Sequence, residues 1–167
     1  LAKFIYVRQP EPLGDGHAIL CAKEAIGREP FAVLFGDDLV DSRVPAIKQL
    51  INIYEKKNAP VIALQKIDKK DTRKYGIVGL AHQNDSGRLH SIKRLVEKPE
   101  PSRAPSNLAI IGKYILTPDV LDALERVEKG GDGEIRLIDA FHKIVGRRPI
   151  YGYEVRGKRY DTGDKLG

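Results

Sequence analysis

Three short stretches put charged side chains where a strand must end, and each could do chemistry. The apolar run "FAVLFG" (31–36) stops abruptly at Asp37 and Asp38. A carboxylate following directly on a buried strand points into the crevice beyond it, where it can offer oxygen ligands to a hard cation such as magnesium. The same acids also suit a turn or the N-cap of a following helix, although capping accounts for one aspartate and not for two. The run ending "RLVEKPEP" sets Glu97 beside Lys98. Lysine there can hold a phosphate as a compact point charge, and the glutamate can accept hydrogen bonds from sugar hydroxyls. The other reading is an exposed ion pair worth less than about 1 kcal/mol. "YDTGDK" (160–165) offers Asp161 ahead of a glycine, which alone is ordinary turn composition. Magnesium takes one or two protein carboxylates and completes its shell from phosphate and water, so two aspartates on separate loops are what a nucleotide site requires.

"LGDGHA" (13–18) is a glycine-bearing turn running into a helix. It has neither the G-x-G-x-x-G spacing of a dinucleotide fingerprint nor the Lys-Ser/Thr ending of a P-loop. Its glycines could let a flat ligand lie against bare backbone, with Gln9 offering a donor and an acceptor. His17 opens the helix and reads as a packing or capping residue, because no acid or nucleophile neighbours it in sequence. Cys21, the only cysteine, lies in the apolar run "HAILCAKEAI" and reads as a small buried hydrophobe rather than a catalytic thiol. It permits no internal disulfide, and a reducing cytoplasm is the expected location.

The elements that must position these groups alternate. "KFIYVRQ" (3–9) predicts a strand, His17 to Ile26 a helix, and "FAVLFG" a strand covered on both faces. Val44, Ile47, Leu50, Ile51 and Tyr54 recur at helical spacing over 42–57, with Ser42 as N-cap. "PVIALQKI" (60–67) predicts a further strand. "YGIVGLAH" (75–82), the turn "NDSG" and "RLHSIKRLVEK" (88–98) predict an antiparallel excursion. "LAIIGKYIL" (108–116) is another strand, Thr117 and Pro118 start a helix, 133–145 is helical, and "IYGYEVRG" (150–157) closes as a strand. The order predicts one α/β domain with a mixed, mainly parallel sheet flanked by helices, and ligands beyond the carboxyl ends of its strands. The loops to watch are 10–16, 36–41, 97–107 and 158–167.

With 167 residues, 41% hydrophobic and 31% charged, the chain can bury one sizeable core. No window approaches 18 uncharged apolar residues, so no membrane span is expected, and "LAKFIYVRQPEP" lacks the order of a secretory signal. The net charge of +6 is the excess of 29 basic over 23 acidic residues, and the basic ones are scattered, with runs only at "KKDTRK" and "GRRP" and no interleaved aromatics. That pattern argues against nucleic acid and for a field that draws in anionic small molecules. The chain starts at Leu1 and contains no methionine, which suggests a segment of something longer.

Together the stretches "YVRQPEPLGDGHAILCAK", "PFAVLFGDD", "YGIV", "LVEKPEPSRAPSNLAIIGKYILTPDV", "GGDGEIRLIDA" and "GKRYDTGDKLG" resemble, in order, the bacterial UTP–glucose-1-phosphate uridylyltransferases, also called UDP-glucose pyrophosphorylases. The resemblance implies a nucleotide-diphosphosugar transferase (Rossmann-like) fold over residues 1–167, truncated. It implies that Gln9 and the backbone at Gly14 hold uracil, that Asp37 and Asp161 bind Mg2+, and that Glu97 and Gly76 contact glucose hydroxyls. Lys98 would meet the sugar phosphate, and the backbone near Ala109 and Ile110 would line the sugar pocket. UTP, glucose 1-phosphate and UDP-glucose are the implied small-molecule partners, and the full-length form is expected to be a homo-oligomer. Asp15 and Ile138 depart from the family's usual residues, Asp15 putting a negative charge near the nucleotide. The family's glycine-rich signature, with its Arg and Lys for the triphosphate, does not occur in the chain, so the 167 residues alone are expected to be inactive or nearly so. Two rival readings are a transferase for another nucleotide or sugar, such as a thymidylyltransferase, and a sugar-nucleotide-binding module without turnover.

Overall fold

In the computed structural model, residues 2–82 and 87–163 are described. The predicted "NDSG" turn and the end of the 158–167 loop fall largely outside them. The main sheet has six strands, β1 (Phe31–Leu34), β3 (Val61–Lys66), β4 (Gly76–Leu80), β5 (Leu89–Glu97), β6 (Leu108–Leu116) and β7 (Tyr151–Glu154), in the order β1-β6-β3-β7-β5-β4. A ribbon of β2 (Asp38–Asp41) and β8 (Lys158–Asp161) stands beside it. The helices are α1 (Asp15–Cys21), α2 (Lys23–Ile26), α3 (Ala46–Lys57), α4 (Pro118–Leu124) and α5 (Leu137–Ile144).

The sheet is mixed, as expected, but not mainly parallel. Among the described strands only β3 and β7 pair in parallel. The strand–helix–strand order of 31–66 suggested parallel neighbours, yet β6 inserts between β1 and β3 and runs antiparallel to both. Its nine residues are buried except Ile110, which suits an inner position where both faces are covered. β3 is sheathed on both sides as well, with Val61–Leu64 fully buried. β1 lies at the sheet edge and alternates, leaving Leu34 54% exposed.

Helices cover the two faces unequally. Ile19 of α1, Val120, Leu121 and Leu124 of α4, and Leu137, Phe141 and Ile144 of α5 pack with Ile62, Leu64 and Val78 on one side. Leu50 of α3 packs with Val61, Ala63, Ile111 and Ile115 on the other. Each such buried Leu, Ile or Phe stabilises the fold by about 1.5–3 kcal/mol relative to exposure.

Two further expectations are corrected. Residues 3–9 form no strand; Phe4, Ile5, Tyr6 and Val7 are exposed, because no described neighbour offers them a ladder. The helix predicted from Ser42 begins at Ala46, with Pro45 as N-cap. Proline steers the residue before it out of the helical region, so the turn cannot extend back through Val44. Ser42 instead accepts a hydrogen bond from Gln49 Nε2 at 3.3 Å. No helix among the described residues is long and apolar enough to cross a membrane.

Candidate functional site

A cleft of about 470 Å³ opens where β1 turns into β2, β5 ends and β4 begins. Asp37, Asp161, Lys98, Glu97, Gly76, Gly14 and Ile110 all line it, although they come from separate stretches of sequence.

The acid end is built by the β2–β8 ribbon. Asp37 sits in the turn after β1, and its carbonyl accepts Thr162 N at 2.8 Å and the Thr162 hydroxyl at 3.0 Å. These bonds draw the end of β8 against the turn. A Cβ placed on Gly163 would lie 3.1 Å from Asp37 Oδ2 and 3.3 Å from Asp161 Oδ1, so the two carboxylates converge on that glycine. Asp161 Oδ1 accepts Gly163 N at 3.2 Å, and its Oδ2 accepts Arg159 Nη2 at 3.1 Å. Paired carboxylate oxygens are a hard donor set of the kind magnesium uses. No third His, Cys, Asp or Glu joins the two in a cluster suited to a metal among the described residues. That fits a cation which completes its shell from ligand oxygens and water.

The adjacent Asp38 has another task. Its Oδ2 accepts Gly112 N at 2.8 Å, its Oδ1 accepts Arg159 Nε, and its carbonyl accepts Lys113 Nζ. It thereby ties the ribbon to β6. Burial lowers the pKa of the Lys113 ammonium, with Asp38 pulling the other way. Of the two neighbouring acids, Asp37 lines the cleft with a carboxylate that makes no hydrogen bond among the described residues, and Asp38 is structural.

The sugar-phosphate end is built by β4 and β5. Gly76 and Glu97 face each other in the ladder, and a Cβ on Gly76 would lie 3.3 Å from Glu97 Oε2. Burial holds the Glu97 carboxyl above its ordinary pKa, with the neighbouring Lys98 charge countering that effect. Lys98 Nζ is 3.7 Å from Glu97 Oε1, and the Lys98 side chain is 61% exposed. Its backbone has φ 43°, a left-handed conformation that costs a residue with a side chain about 1–3 kcal/mol. Lys98 N donates to Tyr75 O at 3.1 Å, which holds the turn in place.

Two expected site residues stand apart. Gln9 does not line the cleft; its Nε2 donates to Gly14 O at 3.0 Å and lies 3.0 Å from His17 Nδ1. It braces the glycine turn. Ala109 is fully buried and opposite Ile77, leaving Ile110 as the residue of that pair which reaches the cleft. His17 does have a nucleophile beside it, with Cys21 Sγ 3.8 Å from its Nε2, and Cys21 is half-buried rather than buried.

Asp15 and Arg159 were missed as organisers. Asp15 Oδ1 accepts Gly16 N at 2.8 Å and Leu137 N at 3.1 Å, so the acid between two glycines fastens α1 to the start of α5. Burial raises its pKa, and those backbone donors offset part of the rise. Ile138, the other departure, is buried in the core beneath the cleft. Arg159 bridges Asp38 and Asp161; the alternation of "KRYD" was the signal that Arg159 and Asp161 share one face of a strand.

Residues 2–165 match the family model described as nucleotidyl transferase. A UTP–glucose-1-phosphate uridylyltransferase of Staphylococcus haemolyticus is 49% identical over 167 residues, which are all of this chain and 57% of that protein. The chain thus spans little more than half the length of this relative. A crystal structure of a UDP-glucose pyrophosphorylase complexed with UDP-glucose has a TM-score of 0.89 and 40% identity, covering 96% of this chain and 61% of that one. A UTP-bound UGPase from Acinetobacter baumannii has a TM-score of 0.84 and 35% identity, with 96% of this chain and 55% of that one covered.

Proposed function

The chain belongs to the nucleotidyl transferase family, and on that premise we propose that it carries the metal-binding and sugar-phosphate part of a UTP–glucose-1-phosphate uridylyltransferase. The observation that supports this most is the meeting of Asp37, Asp161, Glu97 and Lys98 on one cleft. In the reaction, a phosphate oxygen of glucose 1-phosphate attacks the α-phosphorus of UTP in line and pyrophosphate leaves. The attacking oxygen is already ionised, so no general base is called for, and the protein's work is to bring two anions together and hold them aligned. Lys98 lowers their repulsion at the sugar phosphate. Glu97 accepts hydrogen bonds from glucose hydroxyls, and Gly76 leaves room for the ring because no Cβ fills the space between Ile110, Glu97 and Ile138. Gly14 offers bare backbone to the base, with Gln9 bracing it from behind. Magnesium held by Asp37 and Asp161 would neutralise charge on the phosphates.

The test is binding of UDP-glucose to the 167-residue chain by titration calorimetry, with and without Mg2+. Saturable binding that weakens when Mg2+ is removed, and that fails for dTDP-glucose, is expected. No binding of either sugar nucleotide would remove the proposal, and a preference for dTDP-glucose would move it to a thymidylyltransferase. Pyrophosphate release by the 167 residues alone is expected to be negligible, since the glycine-rich triphosphate signature does not occur in them.

A further inference from the structure

Asp38 and Asp161 stand directly opposite each other in the β2–β8 ladder, where like charges repel. Arg159 lies two residues before Asp161 on the same face of β8. Its Nε donates to Asp38 Oδ1 and its Nη2 to Asp161 Oδ2. The Arg159 and Asp38 side chains are each only 10% exposed, so the clamp is withdrawn from water. The same guanidinium lies 5.0 Å from the centre of the Tyr75 ring. Tyr75 in turn accepts the backbone N–H of Lys98, the residue in the left-handed conformation. One side chain therefore touches the acid ribbon and the residue that supports the Lys98 turn. Lysine could supply the charge there, but only arginine offers two divergent donors together with a flat face.

We propose that Arg159 is a positioning residue of the site: it fixes the Asp161 carboxylate toward Asp37 and, through Tyr75, ties that acid pair to the turn bearing Lys98. The inference rests on the reading that Asp37 and Asp161 hold a divalent cation. With Oδ2 of Asp161 engaged by Arg159, Oδ1 is the oxygen turned toward the point that Asp37 also approaches.

The experiment is Mn2+ binding to the 167-residue chain in the presence of UDP-glucose, followed by electron paramagnetic resonance. The parent is compared with Arg159→Lys, with the charge-neutral double variant Asp38→Asn/Arg159→Gln, and with Asp161→Asn and Asp37→Asn. Thermal melting checks that each variant is folded. The neutral double variant guards against loss of the fold, because removing one partner of a buried pair is far more damaging than replacing both. Both Arg159 variants are expected to bind Mn2+ about 10- to 100-fold more weakly, the range found for partners that orient metal ligands. In a cycle with Lys98→Ala, the losses of UDP-glucose affinity should combine less than multiplicatively, as coupled groups do. Parent-like Mn2+ affinity in both Arg159 variants, with loss in Asp161→Asn, would overturn the positioning role and leave the metal reading standing. Losses in the cycle that multiply fully would overturn the link to Lys98. Parent-like Mn2+ binding by Asp161→Asn and Asp37→Asn would remove the metal reading itself, and this proposal with it.

Discussion

Lys98 carries its charge on a backbone conformation that a lysine rarely adopts. The cost is offset by the bond from its N–H to Tyr75 and by the adjoining Glu97, and the result is an ammonium at the rim of the cleft. On the proposed function, Lys98→Ala in a longer form that turns over is expected to lower kcat/KM by about a hundredfold or more, as loss of preorganised charge stabilisation does. Unchanged kinetics would return Lys98 to an ordinary surface charge. Asp15 makes a different residue-scale prediction. Burial raises its folded pKa above the unfolded value, so the native state binds the proton more tightly than the unfolded chain. Stability from this group is therefore lost as pH rises from the ordinary carboxylate range through the raised value, and stays lost above it. Asp15→Asn keeps an oxygen to accept Gly16 N and Leu137 N without that penalty. Urea denaturation should find the variant more stable than the parent at pH 7, with the difference shrinking as pH falls toward about 4. A constant difference across that range would show that the Asp15 charge is not what burial penalises.

At the scale of elements, the β2–β8 ribbon and the β1–β6 pair decide where the acids stand. Gly112 is the joint: its N–H meets Asp38, and a Cβ there would lie 2.5 Å from the Cβ of Phe35. Gly112→Ala must displace Phe35 and the turn carrying Asp37, and overpacking of this kind costs about 1–3 kcal/mol. Chemical denaturation should show that loss, and Mg2+-dependent UDP-glucose binding should weaken with it. This joint could not be read in the sequence. A glycine inside "LAIIGKYIL" looks like a weak point in a strand, and only the partner strand reveals what lies above it. What was legible were the long periodic elements and the abrupt ends of strands. β3 to β7 and α4 and α5 fell within the predicted segments, because apolar runs and a Thr-Pro start are local signals. Pairing is not local. "FAVLFG" reads as a buried strand wherever it sits, and nothing within it says that β6 will lie beside it antiparallel. Lys98, Glu97, Asp37 and Asp161 were legible as strand-end charges, whereas Arg159 and Asp38 acquire their roles from each other and from residues distant in sequence, Gly112 and Tyr75 among them.

For the whole molecule, the cleft is a joint between parts that otherwise have separate supports. α1 and α5 come to it from one face of the sheet through Asp15 and Leu137. The ribbon is anchored toward the other face, where Gln49 of α3 donates to Arg156 O at 2.9 Å and accepts Arg156 N at 2.8 Å just before β8. A ligand that spans the cleft should therefore stabilise both sides at once rather than one loop. At UDP-glucose one hundred times above its dissociation constant, linkage gives about 2.7 kcal/mol of added stability. For a chain of this length that corresponds to a rise in Tm of roughly 5–10 °C. The melt should stay a single transition with Mg2+ and UDP-glucose present, and Asp37→Asn should lose the part of the shift that depends on Mg2+. If the ligand instead split the melt into two steps, the ribbon and the helical face would be responding separately. The cleft would then be a surface of one of them and not the junction that its hydrogen bonds describe.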